Sequence, residues 1–239
     1  MEQLQRWWLL HHKNASTDLM AIIGVVCAAW FCIAQIKQAF VSVEGVSLAQ
    51  LVAFTGSMIL GWWLAYNSRK QQPGRIISQQ IAQFATWTTL GLIWVGVLVF
   101  EIEEYSWTPF DTVVLTCAIV GFAGSVSWAR HHKRPLSHPA IKAWISISLK
   151  SMPQLFLAYL IFQEGGGGWK TSTVFAGHVS ITMRLIPLSV SCIRDIRKSH
   201  AESLGARIRE VELRKRWLLV IDVCNSASWW VVTFMLYMY

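Results

Sequence analysis

Two polar residues and a tryptophan at i, i+3 and i+7 occur twice in this chain, as Gln80, Gln83 and Trp87 and as Asp222, Asn225 and Trp229. On a helix that spacing puts all three on one face. Both triplets lie in apolar runs, at an offset of 142 residues (225 − 83). Facing each other, Gln83 and Asn225 could grip one small polar ligand from both sides while the tryptophans supply flat walls. With ~1.5 Å of rise per residue, Asn225 lies roughly 12 Å into its run, approaching the midplane of a roughly 30 Å hydrocarbon core. Lys150, Arg184 and Asp222 also fall inside apolar runs. Each costs roughly 2.5 to 3.5 kcal/mol on an insertion scale if left in lipid, so they are expected to face the bundle interior or one another. Asp222 keeps two readings: a structural partner of Arg184, or a carboxylate that titrates during transport or counters a cationic solute.

The elements that must position these residues follow from composition. The chain of 239 residues is 54% hydrophobic and 14% charged, against about 25% charged in an average globular domain, which predicts an all-α, polytopic membrane protein. Seven apolar runs are near the roughly 17 to 25 residues a spanning helix needs: 19–36, 46–66, 76–100, 112–128, 143–162, 171–193 and 217–239. The first is too long for a signal-peptide core, and no small-x-small cleavage site clearly follows it. Seventeen of the 21 Lys and Arg fall at the N-terminal arm and in alternate connections, eight of them between Arg194 and Arg216, whereas the opposite side holds Lys37, Lys170 and the acidic run Glu101, Glu103 and Glu104. By the positive-inside bias the N-terminus is cytoplasmic, the C-terminus outside, and the inner cell membrane the expected location. The net charge of +8 is therefore a topology signal, and no nucleic-acid partner is expected.

Pro153 and Gln154 interrupt the run 143–162. Proline removes a backbone hydrogen bond, here to the carbonyl of Leu149, and bends the axis; in lipid that carbonyl needs another partner. The pattern recurs 119 residues earlier, where Cys32-Ile33-Ala34-Gln35-Ile36 parallels Ser151-Met152-Pro153-Gln154-Leu155 with alanine in place of proline. After Gln35 come Lys37, then Ser42-Val43-Glu44-Gly45-Val46-Ser47, then a helix ending Trp63-Leu64-Ala65-Tyr66. This order resembles the PQ-loop repeat of the SWEET-like transporter superfamily, over roughly residues 19–100 and 143–239. The resemblance implies seven transmembrane helices as two parallel three-helix repeats, 19–100 and 143–239, joined by a linker helix, 112–128, in a single membrane domain; parallel repeats are a recognised transporter symmetry.

It further implies alternating access by a carrier of a sugar, amino acid or vitamin, with the lipid bilayer as its surroundings and association with a second copy left open. Asn225 resembles the asparagine that this class places on the third helix of each repeat, and Gln83 departs from it. Trp63 matches the pocket-lining tryptophan of W-x-x-Y. Gln35, Pro153 and Gln154, with Arg184 and Asp222, are the candidate coupling or gating positions, and Gln80, Gln83, Trp87, Trp229 and Asn225 join Trp63 as candidate solute contacts. A receptor or assembly factor on the same fold is the alternative.

Other features point away from chemistry. The five cysteines show no paired spacing and read as small buried residues. His131, His132 and His138 have no cysteine or acidic cluster beside them, so no metal is expected. No catalytic constellation or cofactor motif stands out, and Gly165 to Gly168, with no G-K-[ST] at Walker spacing after it, is a turn or hinge and not a phosphate loop. The last apolar run, 217–239, has no lysine for a retinal Schiff base. Ser199-x-x-Glu202 predicts a capping box opening a short amphipathic helix that runs to Arg216.

Overall fold

The computed structural model describes residues 2–69, 75–103, 105–136, 138–201 and 206–238. Its regular structure among these residues is helical: α1 (Glu2–Ala39), α2 (Leu48–Arg69), α3 (Arg75–Phe100), α4 (Pro109–His131), α5 (Pro139–Ser146), α6 (Met152–Glu164), α7 (Thr171–Ala201) and α8 (Ala206–Met238). A π-turn, Ile147–Ser151, joins α5 to α6, so the two form one rod from Pro139 to Glu164. Five stretches are long and apolar enough to cross a membrane: Asp18–Ala39, Gln79–Phe100, Pro109–His131, Pro139–Glu164 and Leu219–Met238. These mark an integral membrane protein. The apolar part of α2, Leu48–Trp63, is shorter, and α7 carries His178 and Arg184 within its length.

The sidedness of α1 follows from its sequence. Leu19, Ile22, Val26, Trp30 and Ile33, spaced by three and four, form an exposed apolar stripe suited to lipid, while Ala28, Phe31, Cys32 and Gln35 are buried. α1 and α2 both pack on α3, and likewise α7 and the α5–α6 rod both pack on α8. The two triples meet where α1 touches α7 and where α2 touches the π-turn and α6; α4 lies against α2 and the α5–α6 rod.

The bend at Pro153 takes a form that its proline alone does not predict. In the π-turn the Met152 N–H reaches back to the Ile147 carbonyl, one residue beyond α-helical register, immediately before the proline that has no N–H to give Leu149. The arm at the N-terminus is helical from Glu2 and continuous with α1. Ser199, expected to open a short helix, lies inside α7, and Glu202 is outside the described residues.

Three connections, 40–47, 101–108 and 165–170, are bonded together at one end of the bundle. The Gly168 N–H donates to the Glu44 carbonyl (2.9 Å), Gln38 Nε2 to the Gly167 carbonyl (2.9 Å) and Trp169 Nε1 to the Gly45 carbonyl (2.8 Å). Gly45 has φ +69, and a Cβ there would run into the Gly165 carbonyl, so this close approach requires glycine. Asp111, in the first turn of α4, is 1% exposed and accepts from Ser47 Oγ, the Ala49 N–H, Tyr105 Oη, and the N–H and hydroxyl of Thr108. It thus caps α2 and α4 together, a tie between two helix starts. Tyr105 also accepts from the Leu48 N–H (2.7 Å), and burial pushes its phenol above the ordinary tyrosine range.

Candidate functional site

A cavity of about 50 Å³ lies between the two triples. At ~10 to 15 Å³ per water, that is room for a few waters or about three to five non-hydrogen atoms. Helical spacing explains its wall. Gly177, Ser180, Ile181 and Arg184 form one face of α7, Asn225 and Trp229 come from α8, Trp87 and Trp94 lie seven apart on α3, and Gln50 and Phe54 lie four apart on α2. Lys150, in the π-turn, and Gln154, in α6, close one side.

An aromatic cluster forms the end nearest the bonded connections. Phe31 of α1 stands at its centre, with ring centroids 5.4 Å from Trp87, 6.2 Å from Trp94, 6.3 Å from Trp169 and 5.6 Å from Trp229. Several of these contacts are edge-to-face, the arrangement that aromatic quadrupoles favour. Trp169 roofs the cavity, held by its bond to Gly45. Beside it Gln35 locks α1 to the start of α7: its amide oxygen accepts from Thr173 Oγ1 (2.8 Å) and the Lys170 N–H (3.2 Å), and its Nε2 donates to the Gly168 carbonyl (3.3 Å).

The polar groups divide into satisfied and unsatisfied ones. Arg184 Nη2 lies 2.5 Å from Asp222 Oδ1, an ion pair between α7 and α8. Gln154 Oε1 accepts from Ser228 Oγ (2.6 Å). In contrast Asn225, 1% exposed, has neither end of its amide partnered, and the indole N–H groups of Trp94 and Trp229 and the Nε of Arg184 are also buried without partners. Such groups cost free energy when left dry, so a cluster of them in one cavity wall marks a place where something polar is meant to sit. Gly177 makes this geometry feasible, because its missing Cβ leaves the space that the Trp229 N–H edge occupies.

The structure brings some of the candidate residues together and leaves others apart. Asn225, Trp87, Trp229, Gln154 and Arg184 line the cavity, and Asp222 stands behind Arg184. Gln83 does not face Asn225 across it; its amide packs at Gly24 of α1, and Gln80 is likewise absent from the wall. Trp63 is 55% exposed on the outer surface of α2, where neighbouring Trp62 stacks on Tyr66. Gln35 is a bolt at the closed end and Pro153 a buried bend beside the wall. The sequence marks Lys150 only as an ionisable residue at membrane depth. Its place in the wall carries no signal in the sequence, because the π-turn that contains it breaks the helical spacing to Gln154.

Among the described residues no cluster of His, Cys, Asp or Glu could hold a metal ion. Comparison with known proteins finds no matching family model, no matching curated protein and no matching solved structure.

Proposed function

We propose that this chain is a membrane carrier that moves a small polar solute by alternating access, its seven rods crossing the membrane as two parallel three-helix units, 19–100 and 143–239, with α4 between them. The observation that supports this most is the cavity at the meeting of the two triples, where Asn225 and two indole N–H groups are buried without partners. The matched packing, with the third helix of each triple in contact with the other two, agrees with the PQ-loop, SWEET-like resemblance that we extend to the whole chain. The bonded connections then form an outer latch, and the state described is closed on that side. Alternating access requires the latch to part while the other end closes. The charge distribution supports a cytoplasmic N-terminus, with the inner cell membrane as the proposed location.

Solute counterflow in proteoliposomes tests the site. Asn225→Ala is expected to abolish counterflow while leaving folded yield and detergent elution unchanged, since the amide holds no helix in place. Gln83→Ala, removed from the cavity, is expected to transport at close to the parent rate. Normal counterflow in Asn225→Ala would remove the cavity from the mechanism.

A further inference from the structure

Lys150 is 5% exposed in the cavity wall. Among the described residues its ammonium forms no ion pair and no hydrogen bond, and its one polar contact is with the face of the Phe54 ring, 5.5 Å from the centroid. The other charges at the cavity, Arg184 and Asp222, are committed to each other. Lys150 is therefore the basic group of the wall that no carboxylate pairs, and its ammonium form needs an anion.

The unpartnered atoms around it have the same bias. Among the fully buried unpartnered atoms of the lining residues, Asn225 Nδ2, Trp94 Nε1, Trp229 Nε1 and Arg184 Nε are donors and Asn225 Oδ1 is an acceptor; Gln50, Gln154 and Ser180 bring further acceptor oxygens to the wall. An indole or guanidinium nitrogen can only donate. A ligand that matches this wall is rich in acceptors and carries negative charge. A sugar brings hydroxyl donors as well as acceptors and exceeds the space; an amino acid brings a second ammonium towards Lys150. A carboxylate meets every requirement, and the aromatic cluster suits a short alkyl group behind it.

We propose that the solute is a small monocarboxylate of acetate or propionate size, its carboxylate paired with the Lys150 ammonium and its alkyl end against the tryptophans. This rests on the carrier reading for the identity of the site.

The test uses the full chain purified in detergent, with chloride replaced by acetate or propionate at constant ionic strength and the neutral isosteres acetamide and propionamide as controls. Either acid is expected to raise the melting temperature in a concentration-dependent way and to give a saturable heat of binding; the amides are expected to do neither. Lys150→Met should weaken acid binding by about tenfold or more, and Lys150→Arg should retain most of it. Equal stabilisation by the amides, or undiminished acid binding in Lys150→Met, overturns the proposal; if Lys150→Met does not fold, the acid and amide contrast on the parent protein decides alone. Tighter binding of tetra-alanine than of propionate also overturns it, since the carboxylate read would then be a peptide terminus. Counterflow separates this from the carrier reading. Acid binding without counterflow removes the carrier and leaves the anion site, whereas counterflow of a neutral solute that acetate does not inhibit removes the anion site and leaves the carrier.

Discussion

Arg184 and Asp222 show how an ionisable residue can be legible as a problem before its solution is known. Three charges at membrane depth must find partners, and the sequence leaves Asp222 either as the mate of Arg184 or as a proton site. Their contact across α7 and α8 favours the structural role. Removing one member of a buried pair typically costs about 3 to 5 kcal/mol, because the other charge is stranded. Asp222→Asn is therefore expected to reduce folded yield and melting temperature, and Asp222→Asn with Arg184→Gln to recover most of the loss. The opposite result, a stable Asp222→Asn that transports without responding to a proton gradient, would restore the coupling role. The remaining charge, Lys150, is not legible as a pocket residue, because nothing in its sequence neighbourhood announces a π-turn. One extra residue in a turn rotates the α5 side of the rod by roughly 100° relative to the α6 side, so a face extrapolated from Gln154 through the bend is unreliable.

At the scale of elements, periodicity fixes which residues share a face but leaves open where that face points. The triplet on α8 turns Asn225 and Trp229 to the cavity, as expected. On α3 the same spacing delivers Trp87, while the amide of Gln83 meets Gly24 of α1. The tetraglycine run is readable as a turn, but not as a docking surface for residues 42–45, since that contact joins segments more than a hundred residues apart. Its dependence on Gly45 makes the latch testable. A residue with a side chain at φ +69 is strained by about 1 to 2 kcal/mol before any clash, and Gly45→Ala would also press on the Gly165 carbonyl. Gly45→Ala is expected to weaken the latch and expose the cavity from outside. In a background with the native cysteines replaced and carrying Ile181→Cys in the cavity wall, a membrane-impermeant maleimide should label the cysteine faster with Gly45→Ala than without it; equal labelling would mean that these loops do not gate.

For the whole molecule the open question is how many helices cross. Composition predicts seven, and five stretches pass on length and apolarity alone, because α2 has a short apolar part and α7 turns Ser180 and Arg184 to the cavity. The connections supply an independent argument from parity. If α2 and α7 did not cross, α3 alone would return the chain, and residues 101–108 would lie on the opposite side from residues 40–47. Yet Tyr105 Oη accepts from the Leu48 N–H, and Asp111 accepts from Ser47 and Ala49. Residues 165–170 would be on the wrong side too, whereas Gly168 bonds to Glu44. Charge points the same way, since a five-crossing chain would put Arg130, Lys133 and Arg134 outside and Glu101 and Glu103 inside, against the positive-inside bias. Five and seven crossings both leave the termini on opposite sides, so terminal tags cannot distinguish them. Single cysteines at exposed Val41 and Ser106 can, after the native cysteines are replaced. In intact cells an impermeant maleimide is expected to label both Val41→Cys and Ser106→Cys. Labelling of one and protection of the other would mean that α2 does not span, and the two-triple carrier architecture would fall with it.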